Sequence, residues 1–196
     1  RHDRPVLQRA VAAPGRALTI EVPLDADFTS VIGREGETDV LRIVTGDARS
    51  ATLPSAVSGF DDPGDRIEYV GSAEAANSFI RGSSGADLMR SGGARNVVFD
   101  GGAGEDTLIA EAGGTLAASG GGFGVPGAAE ADLFRPERGF LGLTVDDWAD
   151  GVDRLDLRAF TREEAAAALA SVVRPSFGVL ELTVDGATIR LEADEG

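Results

Sequence analysis

The chain has 196 residues, with 33 acidic and 18 basic side chains, a formal charge of −15 and no cysteine. That length can bury a real core, as one elongated domain or two small ones, while the acidic excess argues against nucleic acid and anionic membrane as partners. The basic residues are all arginine and the one histidine is His2, so disulfides, thiolate metal sites, a Walker lysine and a Schiff-base lysine are excluded.

In chain order, Leu18, Ile20 and Val22 alternate as an N-terminal strand, suited to closing one end of a stacked structure. Asp39-Val40-Leu41-Arg42-Ile43 reads as a second short strand. The stretch Val57 to Tyr69 then lines up without a gap with Val145 to Leu157, 88 residues on. Phe60 matches Trp148, Asp62 matches Asp150, and Asp65-Arg66 matches Asp153-Arg154. The second copy is again preceded by a strand, Asp132-Leu133-Phe134-Arg135. Such self-similarity predicts rungs that stack along the chain. Asp65 and Asp153 are open to two readings, further metal ligands or caps of the turns before their strands. The second is favoured, because no glycine-rich cradle accompanies either residue.

Between these copies lies Gly101-Gly102-Ala103-Gly104-Glu105-Asp106-Thr107-Leu108-Ile109, which fits G-G-x-G-x-D-x-U-x at every defined position. In this pattern six glycine-rich residues turn the backbone, the aspartate points into the loop, and one large apolar residue is buried. Gly82 to Arg90 repeats it, with Gly82, Gly85, Asp87 and Leu88-Met89 in register. Gly92 to Asp100 keeps its glycine pair and Phe99 but carries Val97 where the aspartate should stand. The phase is loose from Ala110 to Pro126, and Gly127 to Arg135, with Asp132, reads as a worn final copy. Each unit is half a turn of a parallel β-roll. Asp87 and Asp106, two units apart, should therefore project from adjacent turns towards one calcium ion, with Gly82, Gly85, Gly101 and Gly104 freeing backbone carbonyls as further ligands. The opposite side, with Val97 and Thr115 at equivalent places, should be largely metal-free. A flexible Gly/Ser linker with scattered aspartates is the competing reading. It does not account for Ile80, Met89, Phe99 and Leu108 recurring at spacings of nine, ten and nine.

Taken with the nonapeptides, Val145 to Leu157 resembles the D-F-x-x-G-x-D-x-I-D-L element that follows these repeats in the C-terminal domain of serralysin-type secreted proteases and other RTX proteins, with Trp148 in place of phenylalanine. The resemblance covers about residues 80 to 193. It implies a calcium-stabilised right-handed parallel β-roll, export by a type I secretion system of a Gram-negative bacterium, and folding outside the cell. This chain departs from the pattern in its few intact repeats, in Val97, and in having no protease domain. The acidic excess also supplies a physical switch: carboxylates that repel one another at low calcium are neutralised when the ion binds, so binding energy becomes folding energy.

Towards the C-terminus, Thr161 and Glu164 form a capping box with Phe160 before it, the Ala165–Ala168 run propagates a helix, and Arg174-Pro175 should end it. Val179–Val184 and Ala187–Leu191 flank Asp185-Gly186, a strong hairpin signal. Helix and hairpin together would cover the open end of a solenoid. Gly122 to Gly127 formally satisfies G-x-G-x-x-G, but Pro126 and the lack of a βαβ unit speak against a dinucleotide site. Trp148, Phe123 and Phe140 could form a sugar-binding surface, though core packing is the favoured reading. A glycosidase-like carboxylate pair has no distinguishing mark in a chain with 33 acidic residues.

The expectation is an all-β, right-handed parallel β-roll with a C-terminal capping helix and hairpin. It divides into a β region at 1–72, nonapeptide rungs at 73–135 and a capping region at 136–196. It is read as a secreted, non-catalytic, calcium-binding module, with Asp87 and Asp106 as principal ligands and Asp132 as a poorer one. Calcium, the type I secretion machinery and an extracellular surface partner or a second copy are its expected partners. The alternative is the C-terminal secretion and stabilisation domain of a larger secreted enzyme. Because the chain opens at Arg1 without methionine, a processed or excised piece is expected.

Overall fold

Side chains that alternate inward and outward over three to five residues, punctuated by glycine turns, dictate short strands with one buried face. The computed structural model describes side chains for residues 39–42, 68–71, 73, 77, 79–82, 85–121 and 130–193. It describes as backbone alone the strands or strand residues at 6–7, 10–11, 19–23, 27–28, 31–32, 43–44, 57–58 and 66–67. Among the described residues the strands in the first part of the chain are β1 (Val6–Leu7), β2 (Ala10–Val11), β3 (Thr19–Pro23), β4 (Asp27–Phe28), β5 (Val31–Ile32), β6 (Val40–Val44), β7 (Val57–Ser58) and β8 (Arg66–Val70). There follow β9 (Phe79–Arg81), β10 (Leu88–Arg90), β11 (Val97–Asp100), β12 (Thr107–Ala110), β13 (Thr115–Ser119), β14 (Leu133–Pro136), β15 (Gly142–Trp148) and β16 (Arg154–Leu155). The helix α1 (Arg162–Ala170) precedes β17 (Val173–Ser176), β18 (Val179–Val184) and β19 (Ala187–Ala193).

The protein is mostly β, and its chain passes back and forth between two seven-stranded sheets. The first sheet has the order β16-β14-β12-β10-β8-β6-β3 and the second β17-β18-β19-β15-β13-β11-β9. From β8 to β16 alternate strands fall in alternate sheets, and each pairs in parallel with the strand two further on. The first sheet runs unbroken through both 72/73 and 135/136. The two Asp-Arg copies occupy equivalent places: Val40 of β6 lies beside Arg66 of β8, as Leu133 of β14 lies beside Arg154 of β16.

The core is a stack of inward side chains. Met89, Leu108 and Phe134 face Ile80, Phe99, Leu116 and Leu143 between the sheets, each within 2 % of full burial. Burying each such side chain is worth about 1.5–3 kcal/mol. Tyr69 meets Phe99 edge to face at 5.3 Å, and Phe134 lies against the half-buried Trp148 at 6.1 Å. Phe140 is also core, so neither it nor Trp148 belongs to an aromatic platform; Phe123 lies outside the described residues. The recurrence of Ile80, Met89, Phe99 and Leu108 thus reports buried positions of parallel-paired strands, and a flexible linker is ruled out for this stretch.

The C-terminal elements follow their local signals with one correction. Glu164 donates its backbone N–H to the Thr161 hydroxyl at 3.2 Å, and Thr161 donates its own to the Glu164 carboxylate at 2.7 Å, completing the capping box. The helix stops at Ala170 with Ser171 as C-cap, before Arg174-Pro175, which instead lie in strand β17. The Ser171 hydroxyl ends it by donating to the Ala168 carbonyl at 2.7 Å and accepting from Thr183 of β18. Asp185 and Gly186 both have positive φ, 52° and 78°, as the two-residue hairpin between β18 and β19 requires. The hairpin extends the second sheet, β19 running parallel to β15, while Phe160, Ala168, Leu182 and Ile189 close on the core. Strand β17 is antiparallel to β18, contains Pro175, and is exposed at all four positions.

Candidate metal centre

Every pass from the second sheet to the first crosses one edge of the molecule, and an aspartate stands immediately before the strand each time. Asp87 precedes β10, Asp106 β12, Asp132 β14 and Asp153 β16, and the parallel registers place the four in one column. All four are buried. The column is held by a repeated bond. Asp87 donates its backbone N–H to Asp106 Oδ1 at 2.8 Å, Asp106 donates to Asp132 Oδ1 at 2.8 Å, and Asp132 donates to Asp153 Oδ1 at 3.1 Å. The circuits between them are 19, 26 and 21 residues long. Asp153 Oδ2 accepts from Ala149 N–H at 2.8 Å, so this residue caps its own turn, as the favoured reading had it, and also joins the column. Asp65 lies outside the described residues. Its neighbour Arg66 pairs with Val40, but Glu68 pairs with Leu88, so the register advances by two between β8 and β10 and the column begins at Asp87.

The second oxygen of Asp87, Asp106 and Asp132 lies against a glycine. A Cβ added at Gly82 would collide with Asp87 Oδ2, at Gly101 with Asp106 Oδ2, and at Gly120 with Asp132 Oδ2. The same added atoms would strike the Gly101 carbonyl from Gly82 and, at 2.8 Å, the Gly120 carbonyl from Gly101. The Gly82 and Gly101 faces therefore each bring together one carboxylate oxygen and one carbonyl oxygen from the next circuit. Gly104, at φ +105°, passes 2.7 Å from Gly85 by the same measure, so the loops containing these two residues also stack closely. Glu130 and Asp147 add charge nearby: Glu130 accepts from Gly104 N–H at 2.6 Å, and Asp147 accepts from Gly120 and Gly121 N–H at 3.0 and 2.8 Å.

Burial and mutual repulsion leave the column short of compensation. Asp106 Oδ2 is buried with no hydrogen-bond donor. Burial, and then the Asp87 and Asp132 charges, raise the Asp106 carboxyl to about 9, against the lowering effect of its bond from Asp87. Burial likewise raises Asp132 to about 7, with Asp153 and Asp147 adding to the shift. Asp153 is raised as well, again chiefly by burial. Asp156 is opposite in kind: burial pushes it up, but bonds from Arg158 and Arg135 outweigh this and hold it below the ordinary range.

These groups suit a hard cation. Carboxylate and carbonyl oxygens are what calcium takes, and the glycine at 101 puts no side chain between the orphaned Asp106 Oδ2 and the Gly120 carbonyl. Among the described residues no three or more His, Cys, Asp or Glu side chains converge as a metal cluster, so backbone carbonyls or water would have to complete any coordination shell.

The structure brings together Asp87, Asp106, Gly82, Gly101, Gly85 and Gly104, and adds Asp132 in the same column. It re-assigns the partner of Asp132: the glycine against its carboxylate is Gly120, while the Gly127 of the worn copy lies outside the described residues, as does the 122–127 glycine motif. The clue was the even spacing of Gly82, Gly101 and Gly120, 19 residues each time, which a search for contiguous nonapeptides passes over. On the opposite edge the register corrects the expected pairing by one. Val97 is a core residue beside Leu116, and Thr115 pairs with Asn96. There Asn96 donates its side-chain amide to Asn77 at 3.2 Å and its N–H to the Thr115 hydroxyl at 2.8 Å, an uncharged ladder in place of the aspartates.

No family model, curated protein or solved structure matches the chain.

Proposed function

We propose that this chain is a calcium-binding module of the RTX type, a parallel β-roll whose aspartate column holds calcium between successive circuits. The observation that carries this reading is Asp106 Oδ2, a buried carboxylate oxygen without a donor, set beside the Gly120 carbonyl at a glycine face. A divalent cation there would neutralise a charge that the fold otherwise has to protonate, and its binding energy would add to folding energy. Asp87 and Asp106 with the Gly101 carbonyl form the first level, and Asp106 and Asp132 with the Gly120 carbonyl the second.

The role that follows is structural. A chain of charge −15 that orders when calcium is abundant suits export before folding, a secreted location, and service as an extracellular stabilising or surface-assembly module. No catalytic residue is proposed. Attachment to a larger secreted enzyme as its C-terminal domain fits the same chemistry. One feature favours a second reading of the column itself: Oδ1 of Asp106, Asp132 and Asp153 already accepts a backbone N–H, so these aspartates could serve as hydrogen-bonded pins alone.

Calorimetric titration with calcium, joined to melts in chelator, separates the two. The calcium module predicts saturable binding and a Tm that rises with calcium, both reduced by Asp106→Ala. No binding heat and equal melts with calcium or chelator would leave only the pins.

A further inference from the structure

We propose that Met89 is an oxidation site, and that its sulfoxide locks the chain out of its fold beside the first aspartate of the column. The effect of that lock on metal affinity rests on the calcium reading above; its effect on folding does not. The chain has one methionine and no cysteine, so Met89 carries its only sulfur atom. The residue lies in the middle of β10, two positions after Asp87, and is fully buried.

Gly82 marks where the side chain ends. The place that a Gly82 Cβ would take is 2.3 Å from Asp87 Oδ2 and 2.7 Å from Met89 Cε. The methyl end of the thioether therefore shares this glycine face with the carboxylate oxygen. At Gly101, one circuit on, the three nearest atoms all belong to Asp106 and Gly120, although Leu108 stands beside Met89 in register. The long, unbranched thioether thus reaches from the core to the carboxylate, which the shorter leucine of the next strand does not match. Met89 is core and the floor of the Asp87 level at once.

A peroxide acting on this thioether breaks its O–O bond, places one oxygen on sulfur and leaves the other as water, while sulfur gives up two electrons. The new group is polar and its oxygen only accepts hydrogen bonds. Here it would stand between Asp87 Oδ2, an acceptor itself when ionised, and the hydrocarbon of Leu108, Ile80 and Phe99. Neither side offers a donor, so the fold that buries the thioether rejects the sulfoxide. Access decides when the step can occur. The closed chain shields the sulfur completely, and peroxide reaches it only when the strands separate. Once made, the sulfoxide persists until a methionine sulfoxide reductase returns it to the thioether.

The test uses the full chain with hydrogen peroxide as oxidant. One sample is treated folded, in calcium, and another unfolded in urea. Catalase then removes the peroxide, both are refolded by dilution, and mass spectrometry follows the oxygen on Met89. Oxidation should be at least about tenfold slower in the folded sample. The chain oxidised in urea should refold with a lower Tm, in chelator as well as in calcium, and bind calcium at least about tenfold more weakly in calorimetry. Methionine sulfoxide reductases A and B should restore both, a readout that needs no variant to fold, and Met89→Leu should pass through the same treatment unchanged. An unaltered Tm, tighter calcium binding after oxidation, damage that the reductases leave in place, or equal damage in Met89→Leu would overturn the proposal. If the untreated chain binds no calcium the metal reading fails, and Tm in chelator still decides the lock.

Discussion

Asp106 concentrates the chemistry of the molecule in one side chain, because its two oxygens have different tasks. Oδ1 is bound by the N–H of Asp87 and holds the column together, whereas Oδ2 is buried and unserved. Asp106→Asn keeps an oxygen for the first task and removes the charge from the second. In chelator near neutral pH this variant should melt higher than the parent, while its gain in Tm on adding calcium should shrink; thermal melts with and without the ion check both. Gly101→Ala should do harm under every condition, since its Cβ would occupy the place of Asp106 Oδ2, at a cost of about 3 kcal/mol in denaturant unfolding. Asp156→Ala is the control. It breaks the pair with Arg135 and Arg158, which lies outside the column, and should leave calcium affinity unchanged in calorimetry.

Among the elements, those legible in the sequence are those whose signals are local. The capping box of α1 and the Asp185-Gly186 turn each involve residues within four positions of one another, and both form as their spacing requires. Thr161→Ala should cost about 1 kcal/mol, seen as a lower unfolding midpoint with calcium affinity untouched. The end of α1 was misplaced because proline after arginine is a stop signal, but the Ser171 hydroxyl stops the helix sooner by bridging the Ala168 carbonyl and β18, a tertiary bond that no local pattern carries. The same distinction divides the candidate site. Asp87 and Asp106 stand in contiguous repeats, and their adjacency was readable from a 19-residue period. Asp132 and Asp153 sit after circuits of 26 and 21 residues, where insertions hide the period, and only strand register shows that they continue the column. Gly120 keeps the 19-residue period of Gly82 and Gly101, but its tie to Asp132 crosses the irregular stretch after it and shows only in the fold.

For the whole molecule the column sets how stability should respond to pH. With folded values of about 9 for Asp106 and about 7 for Asp132, the folded chain holds protons that the unfolded chain releases at about pH 4. Their contribution is therefore fully present below about pH 4 and is lost as pH rises through about 7 and then about 9. In chelator, Tm should fall between about pH 5 and about pH 8, and the slope should flatten in Asp106→Asn. In saturating calcium the dependence should reverse, because the ion competes with protons for the same oxygens. A Tm in chelator that is flat or rises with pH would contradict the raised values.

Strand β17 has a consequence at this scale too. Sheets whose members stack in parallel have no inherent last member, and a bare rim of amide groups is a template on which other chains can build. Here the final strand runs against its neighbour, is only four residues long, and gives up one amide hydrogen to Pro175. That rim of the second sheet is therefore a poor seed for fibrous growth, and a copy approaching it finds little on which to add a strand.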